Sequence, residues 1–485
     1  MENATTSLFP IAYGTEEEKG IMTDAGLAMD EPYDLVSRLY DFLPDQVRGR
    51  GAFLSNGFRV YPGGASGAGA PTNLEIATPE CSTPTELVRW SRANDLLLRT
   101  IVDRYVSEVS EELGRPVSAR THRRVVDSEN HRKACHDNYG TTLNDHTACR
   151  LEDHLASRSI VTGAGLVGKG QFELGQKIGG LTRVRGYGYL WSMYRIAEVH
   201  GSSRFEVRCS DVNISDWATL QRIGGVALVF AIRGSELSRK LKPMKVHRDP
   251  INRAKQLNTL PLTPDGDTKF NPEHMQAVDF QQRLAELAMQ LVQLDLSDQA
   301  QEYFMIADEL YRYCDDLRSV IDGSQDVEIL ADRADWAAKL AIIRRGIARG
   351  SDYGVIRHAL DIKAMAADLR YDQYTVRGAD GAVIERVEGT GYKLRNRKLL
   401  ANKVTDIQAQ NAVYTAPKTT RAHLRATLLR DYFVSTADWN RIALHDTFGN
   451  NSVVFLDDVT QSTFTNVQLE ALEGLQEFRG LETIR

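Results

Sequence analysis

The sequence predicts an α+β protein, in which a sheet with one polar working face is backed by helices. Three observations lead there. Several strand-like runs place a charged residue at every second position, the period of a pleated strand; YGTEEEKG at 13–20 and RFEVRCSD at 204–211 are the clearest. Long amphipathic stretches occur between such runs, above all 83–112. Strands and helices also alternate without the regular βαβ rhythm of a parallel sheet.

Composition narrows the class. The 485 residues suit two or three domains, or one large core with an appendage. A hydrophobic share of 42% and a charged share of 26% are ordinary for a globular chain. A net charge of −6 gives no basic footprint for nucleic acid. Five cysteines without paired spacing suggest reduced thiols in a cytoplasm rather than a disulfide framework. The first residues, MENATTSLFPIAYG, have neither the basic nor the apolar region of a signal peptide. The longest apolar run, Val226–Ile232, is too short to span a membrane.

Taken in order, residues 8–22 read as a strand and 31–45 carry helical spacing. Short strands follow at 58–61 and 74–78, separated by an uncharged Gly/Ala loop, PGGASGAGAPTN. The stretch 83–112 is a long helix, capped by Thr83 or Thr85 and stopped at Gly114. Residues 141–156 read as helix and 159–167 as strand. Residues 204–215 alternate as a strand, then Ser215 or Asp216 caps a helix over 216–238. That helix is apolar on most faces, which predicts burial. Residues 241–275 are Pro-rich and irregular; helices at 277–322, with a break, and 325–348 follow. A strand is expected at 362–374, a linker at 415–421, and a mix of helix and strands after it.

The acidic run at 16–18 raises a charge question. In a strand Glu16 and Glu18 share one face, while Glu17 and Lys19 share the other. Two carboxylates on one face repel unless a cation lies between them, and Mg²⁺ prefers oxygen ligands. The alternative is a solvated acidic turn. GAGLVGKG at 163–170 fits a G-x-G-x-x-G pattern and most of a P-loop, but Gly170 stands where Ser or Thr would hold Mg²⁺ and no clear helix follows. It reads as a glycine-rich strand exit. His131, Cys135, His136, His146, Cys149 and His154 cluster in sequence without matching a common zinc spacing. Arg204, Glu206 and Arg208 share one face of their strand, and Asp211 and Asn213 lie just before a helix N-terminus, a place suited to phosphate. The alternative there is a helix cap with surface ion pairs. Asn56, Arg59, Glu75 and Glu80 are further polar residues in apolar settings, as are those of DWAAK at 335–339 and DLRYD at 368–372.

Taken in order, these segments resemble the Pup ligase and Pup deamidase (depupylase) family of glutamine-synthetase-like carboxylate–amine ligases. YGTEEEKG sits where that family has G-x-E-x-E-[YF]-G, and FLSNGFRVY matches F-L-x-N-G-x-R-x-Y. LEIATPEC is similar to P-E-Y-A-T-P-E-C, and CHDNY to C-H-E-N-Y. SIVTGAGLVG looks like T-G-A-G-K-V, and RFEVRCSDVNISD looks like R-L-H-V-I-x-x-D-x-N-x-S-E. DWAAKLAII, DLRYDQY and TTRAHLR match three further segments, and the resemblance covers about 11–460.

The resemblance implies a curved antiparallel sheet backed by helices, in a catalytic domain over 1–414 with a small α/β domain over 415–485. It implies ATP and Mg²⁺ as cofactors, a carboxylate donor that is Pup, a Pup-like protein or a small molecule, and a lysine amine as acceptor. The donor carboxylate would be phosphorylated and the amine would displace the phosphate, forming an amide or isopeptide bond. Metal ions would offset the phosphate charge. By the same resemblance Glu16, Glu18 and Glu75 are metal-side carboxylates, and Glu80 and Glu206 are further candidates. Arg59, Arg183, Arg185, Arg204 and Asn213 are candidates for nucleotide or phosphate contacts.

The chain departs from the pattern in places. The family has an aspartate two residues after the tyrosine of N-G-x-R-x-Y; here Pro62 and Gly63 follow Tyr61, and no acid appears before Glu75. The catalytic residue expected at Gly63 is therefore absent and its replacement unassigned. The histidine of R-L-H-V is replaced by Glu206. No long insertion interrupts 20–50, where the deamidase carries a loop, which favours the ligase architecture. Two alternatives accompany the ligase reading: an inactive homologue that binds nucleotide or a Pup-like protein, and a deamidase-type hydrolase.

Overall fold

The computed structural model describes residues 9–25, 38–43, 46–48, 51–62, 73–126, 132–133, 135–141, 151–168, 171–186, 192–199, 202–245, 249–261, 268–293, 298–349, 367–445, 450–473 and 475. Most of the helix expected at 31–45, the first part of that expected at 141–156, Gly63 with the Gly/Ala loop, His131, His146, Cys149 and Lys169 lie outside them. The chain divides into two compact units. One comprises Met1–Pro10, His122–Tyr374 and Glu388–Lys403; the other comprises Ile11–Thr121, Thr375–Val387 and Val404–Arg485.

In the second of these, the strand Ala12–Thr23 pairs antiparallel with Asn73–Ala77. The sheet continues through Arg59–Pro62, Ala52–Leu54 and Gln46–Arg48, all antiparallel. Its register aligns Glu18 with Glu75 and Glu75 with Tyr61. The neighbouring row aligns Glu16, Ala77, Arg59 and Phe53. The helix Pro84–Leu113 backs this sheet. Thr83 caps it by accepting from Glu86 N–H, Pro84 sits in its first turn, and Gly114 ends it at φ 58°. Its buried stripe includes Leu87, Leu97, Ile101 and Val102, and Asn94 Nδ2 donates to the Ile76 carbonyl at 3.0 Å.

Residues after 420 in the same unit build a layer of their own. The helix Arg421–Asp431 lies against an antiparallel meander of Phe433–Ala437, Arg441–His445 and Asn451–Phe455. Leu424, Leu428, Ile442, Leu444, Val454, Leu456 and Leu472 form its core. The stretch leading into it is hydrogen-bonded within the unit: Trp90 Nε1 donates to the Thr415 carbonyl at 3.2 Å, and Thr420 Oγ1 to the Glu80 carbonyl at 2.6 Å.

The other unit carries the strands Arg183–Arg185, Ser192–Val199, Ser202–Ser210 and Cys135–Thr141, in that order. The first pair is parallel and the next two are antiparallel, so the sheet is not antiparallel throughout as expected. The helix Asp216–Arg233 backs it, with Ser215 capping Ala218 N–H as expected. Every residue from Asp216 to Ile232 is buried, and Phe230 packs edge-on against Tyr139 and Phe205. The helices Pro272–Val292 and Asp298–Ile321 enclose this core. In both units the α+β expectation, a sheet backed by helices, holds.

Several local expectations are corrected. Ser159–Thr162 is a helical turn, and the strand begins only at Leu166. The irregular stretch 241–275 contains the helix Pro250–Asn258, capped by Asp249 with Pro250 in its first turn. Residues 367–371 are helical, and the strand expected at 362–374 instead runs Gln373–Ala379 and hairpins with Ala382–Glu388. The helix expected from 325 starts at Asp335, after a short 3-10 turn at Val327–Leu330.

Candidate functional site: a carboxylate and arginine sheet face

The strand pairing brings Glu16, Glu18 and Glu75 onto one face, with Tyr61 and Arg59 beside them. Glu16 and Glu75 each place a carboxylate oxygen within 4.8 Å of the other. Tyr61 Oη donates to Glu75 Oε1 at 2.7 Å, and Asn73 Nδ2 to Glu18 Oε2 at 3.0 Å. Burial pushes the Glu75 carboxyl well above the usual range, and the neighbouring charges of Glu16 and Glu18 push it further. Burial, then Glu16 and Glu75, raise the Tyr61 hydroxyl in the same way. Three convergent carboxylates in a buried setting repel one another. A divalent cation would be held by such a set of oxygen ligands.

Glu17 and Lys19 alternate to the rear of the same strand. Lys19 Nζ contacts Glu17 Oε2 and lies 3.1 Å from Asp95 Oδ1, while Ser91 Oγ donates to Glu17 Oε1 at 2.6 Å. Both side chains are fully buried against the helix Pro84–Leu113. The run is therefore a strand with two charged faces, and the reading as a solvated turn is set aside.

Arg59 is half-buried and ringed by aromatic faces. Its guanidinium lies 5.1 Å from the ring centres of Phe53 and Tyr61 and 5.7 Å from that of Trp439. A Cβ at Gly51 would come within 3.2 Å of Arg59 Nε and 3.0 Å of Tyr61 Cβ, so this strand entry admits only glycine comfortably.

Glu80 is a correction. It is expected among the metal candidates, but two guanidiniums occupy it: Arg425 Nη2 at 2.6 Å and Arg421 Nε at 3.0 Å. Burial pushes its carboxyl up, yet Arg425 and Arg421 outweigh that and hold it at about 2. A carboxylate already neutralised by two cations is a poor metal ligand.

Glu206 is likewise an ion-pair centre. Arg208 Nε binds its Oε1, Arg204 Nη2 lies 3.0 Å from Oε2, and Arg195 Nε is 3.6 Å from Oε2. His136 Nδ1 stands 3.8 Å from Oε1. Its surroundings are cationic, which corrects the expectation of a metal ligand. The register groups Arg204 with Arg195, but pairs Arg183 with Ser192 and Arg185 with Tyr194, the positions that alternate with Arg195. Arg183 and Arg185 thus fall on the other set of strand positions.

Asn213 is buried and spent on the fold, which corrects its expected phosphate contact. Its Nδ2 donates to the Thr162 carbonyl at 2.9 Å and to Asp335 Oδ2 at 3.1 Å, and Arg222 donates to its Oδ1. Asp211 accepts the backbone N–H groups of Ala164, Gln176 and Lys177 at 2.8–2.9 Å. Asp335 in turn accepts from Ile214 N–H and the Tyr371 hydroxyl. Lys339 Nζ pairs with Asp368 Oδ1 at 2.6 Å. Asp335 and Lys339 of DWAAK and Asp368 and Tyr371 of DLRYD form this buried scaffold. In the glycine-rich stretch, the strand Leu166–Gly168 turns into the strand Gln171–Glu173 rather than a helix, against a P-loop. His154 packs inside, bonded to Gln281 at 3.1 Å.

Three participants are not named by sequence reasoning. Tyr61 and Asn73 become visible only once the register places them beside Glu75 and Glu18. Trp439 reaches Arg59 from the far end of the chain, and no local signal marks it.

The fold and the site define a mixed α/β protein with an acidic, arginine-flanked sheet face backed by helices. The family model described as Pup-ligase protein matches residues 13–185 and 194–443, and the chain belongs to that family. A Pup–protein ligase from Acidimicrobium ferrooxidans is 25% identical over 470 residues, covering 90% of this chain and 92% of its own. Among solved structures, the complex between the prokaryotic ubiquitin-like protein Pup and its ligase PafA matches with a TM-score of 0.73 at 22% identity, over 97% of this chain and 93% of the other. PafA in complex with ADP matches with a TM-score of 0.67 at 21% identity, over 92% and 94%. These two likenesses establish the fold.

Proposed function

We propose that this chain is an ATP- and Mg²⁺-dependent ligase that joins a carboxylate of Pup, or of a Pup-like protein, to a lysine amine of a target protein. The observation that carries the reading is the face holding Glu16, Glu18 and Glu75 beside Arg59. A carboxylate is a poor electrophile, so it must first be activated. Its oxygen attacks the terminal phosphorus of ATP and ADP departs. The amine nitrogen then attacks the acyl carbon, phosphate leaves, and the nitrogen loses a proton. Glu16, Glu18 and Glu75 would hold Mg²⁺, which supplies charge neutralisation for the phosphates. Arg59 would contact a phosphate oxygen, and Tyr61 and Asn73 would fix the carboxylates that hold the ion. Arg204 remains a second candidate for a phosphate contact, in the other unit.

No described helix is long and apolar enough to cross a membrane, and we place the protein in the cytoplasm. The test is direct. The purified chain is incubated with ATP, Mg²⁺, Pup ending in glutamate and a lysine-bearing target. ADP release together with a protein adduct is the expected result. Nucleotide binding without ADP release for any donor would instead favour a second reading, a binding module without turnover. One observation favours that reading: Pro62 and Gly63 stand where the family's acid is expected.

A further inference from the structure

The helix Thr390–Asn396 ends on a lysine where glycine is the usual choice. Lys398 N–H donates to the Arg395 carbonyl and Leu399 N–H to the Leu394 carbonyl, both at 2.9 Å. This double closure puts residue 398 in the left-handed region, and Lys398 has φ 58°. Glycine takes that backbone without a Cβ clash, whereas lysine does not. One turn back, Lys393 and Arg397 are four residues apart, and like charges at that spacing repel. All three side chains are exposed. Exposed Arg370 lies on the adjoining turn, since a Cβ at Gly389 would come within 2.4 Å of its carbonyl oxygen.

Among the described residues, no side chain pairs with those of Arg370, Lys393, Arg397 or Lys398. Elsewhere in the same unit exposed arginines carry acids: Arg312 has Asp308, Arg318 has Asp279, and Arg345 has Glu328. Glu388 is the one acid within 388–399, and Asn396 Nδ2 donates to it at 2.6 Å. Arg395 is buried and lies 5.1 Å from the Tyr392 ring centre, so it takes no part. Leu369 and Leu399 flank the cations, 41% and 55% exposed. The base is fixed, because Tyr371, Tyr392 and Leu400 share a core with Ile214 and Ala338. A cation at a helix C-terminus offsets the helix dipole. That accounts for one charge, but not for four, nor for a lysine in the left-handed place.

We infer that Arg370, Lys393, Arg397 and Lys398, with Leu369 and Leu399, form a docking surface for an acidic amphipathic segment of a partner protein. Carboxylates would meet the cations and apolar side chains the leucines. A nucleic acid fits less well: the chain carries a net charge of −6, and no aromatic side chain stands among the six to stack on a base. The surface does not depend on the ligase reading of the carboxylate face.

The test uses the full chain and fluorescence anisotropy. The probes are a labelled peptide of alternating Glu and Leu blocks, its Gln/Leu counterpart, and a single-stranded oligonucleotide. The variants are Lys393→Gln with Arg397→Gln, and Lys398→Gly. A control pair, Arg239→Gln with Lys240→Gln, changes exposed cations on the separate 3-10 turn Glu236–Lys240. The Glu/Leu peptide should bind, more weakly as salt rises, and the Gln/Leu peptide should not. The Lys393/Arg397 pair should weaken binding about three- to tenfold, the scale of two exposed ion pairs, at an unchanged unfolding temperature. Lys398→Gly should weaken it about two- to threefold while unfolding no lower than wild type. A lysine that served only to end the helix would not give that split. The control pair should bind as wild type. The inference is overturned if the Glu/Leu peptide does not bind or the Gln/Leu peptide binds equally. It is also overturned if either patch variant binds as wild type, or the control pair loses as much. An oligonucleotide that binds as tightly as the Glu/Leu peptide would make this a nucleic-acid surface instead.

Discussion

Glu80 and Arg425 meet in a two-point contact, Nη2 to Oε2 at 2.6 Å and Nη1 to Oε1 at 3.3 Å, across 345 residues of sequence. Arg425 is fully buried, and the same carboxylate takes Arg421. The pair therefore ties the strand-to-helix turn after Ala77 to the helix Arg421–Asp431. Its weight can be read from the titration. The folded carboxyl is held at about 2, whereas an unfolded glutamate titrates near ~4.3. The folded state binds the proton less tightly, so the stabilisation is complete above the unfolded value. It fades as pH falls toward the folded one. A shift of that size corresponds to about 3 kcal/mol. Glu80→Gln should lower stability by roughly 3 kcal/mol at neutral pH, and urea unfolding should show the gap to wild type closing in acid. An equal gap at about pH 7 and pH 2 would contradict the assignment.

Glu75 titrates in the opposite sense. Burial, with Glu16 and Glu18 nearby, raises its carboxyl. The folded state then binds the proton more tightly than the unfolded chain, so this group's contribution declines as pH rises through the interval between the two. Without divalent cation, Glu75→Gln should unfold at a higher temperature than wild type near neutral pH. It should also weaken Mg²⁺-dependent ATP binding by at least the ~10–100-fold that outer-shell changes cost. Melting curves with and without Mg²⁺ check both halves.

Glu206 should behave differently, because its charge is matched by Arg208 and Arg204. Glu206→Gln leaves nearly buried Arg208 without its ionic partner and should cost about 3 kcal/mol of stability. The Mg²⁺ dependence of ATP binding should be unaltered. A loss of Mg²⁺ dependence as large as that of Glu75→Gln would restore Glu206 to the metal ligands.

Gly163 is set by backbone approach and not by nucleotide. A Cβ there would lie 2.0 Å from the Leu174 carbonyl oxygen, and rigid backbone cannot yield that distance cheaply. Gly163→Ala should cost at least the 1–3 kcal/mol or so of an overpacked core. The folded fraction should still bind ATP with wild-type affinity, as calorimetry would report.

Legibility in the sequence followed the range of the interaction. The strand Ala12–Thr23 was readable because alternation in EEEK is a one-residue signal, and the caps Thr83 and Ser215 were readable because a cap acts within a single turn. Ser159–Thr162 misled because its β-branched residues favour strand locally, while burial in a helical layer holds it as a turn. Asp249–Pro250 carried a helix-start signal that the surrounding prolines obscured. The partners of Glu80 and Arg59 were not readable at all. A glutamate in a Thr-Pro-Glu-Cys stretch looks the same whether it faces a metal or an arginine, and only the distant helix decides it.

The strand with three glutamates has one last consequence. Lys19 sits locked behind the sheet between Glu17 and Asp95, as Glu16 and Glu18 look forward. The four-letter run is thus a parity code: odd positions are read by the helix, even positions by the open face. An inserted or deleted residue in this strand would not simply shift a ligand by one place. It would exchange the two readers, burying the acidic pair against Ser91 and Asp95 and turning the lysine outward. The rear ion pair therefore acts as a proofreader of alignment, because only the native parity satisfies both sides at once.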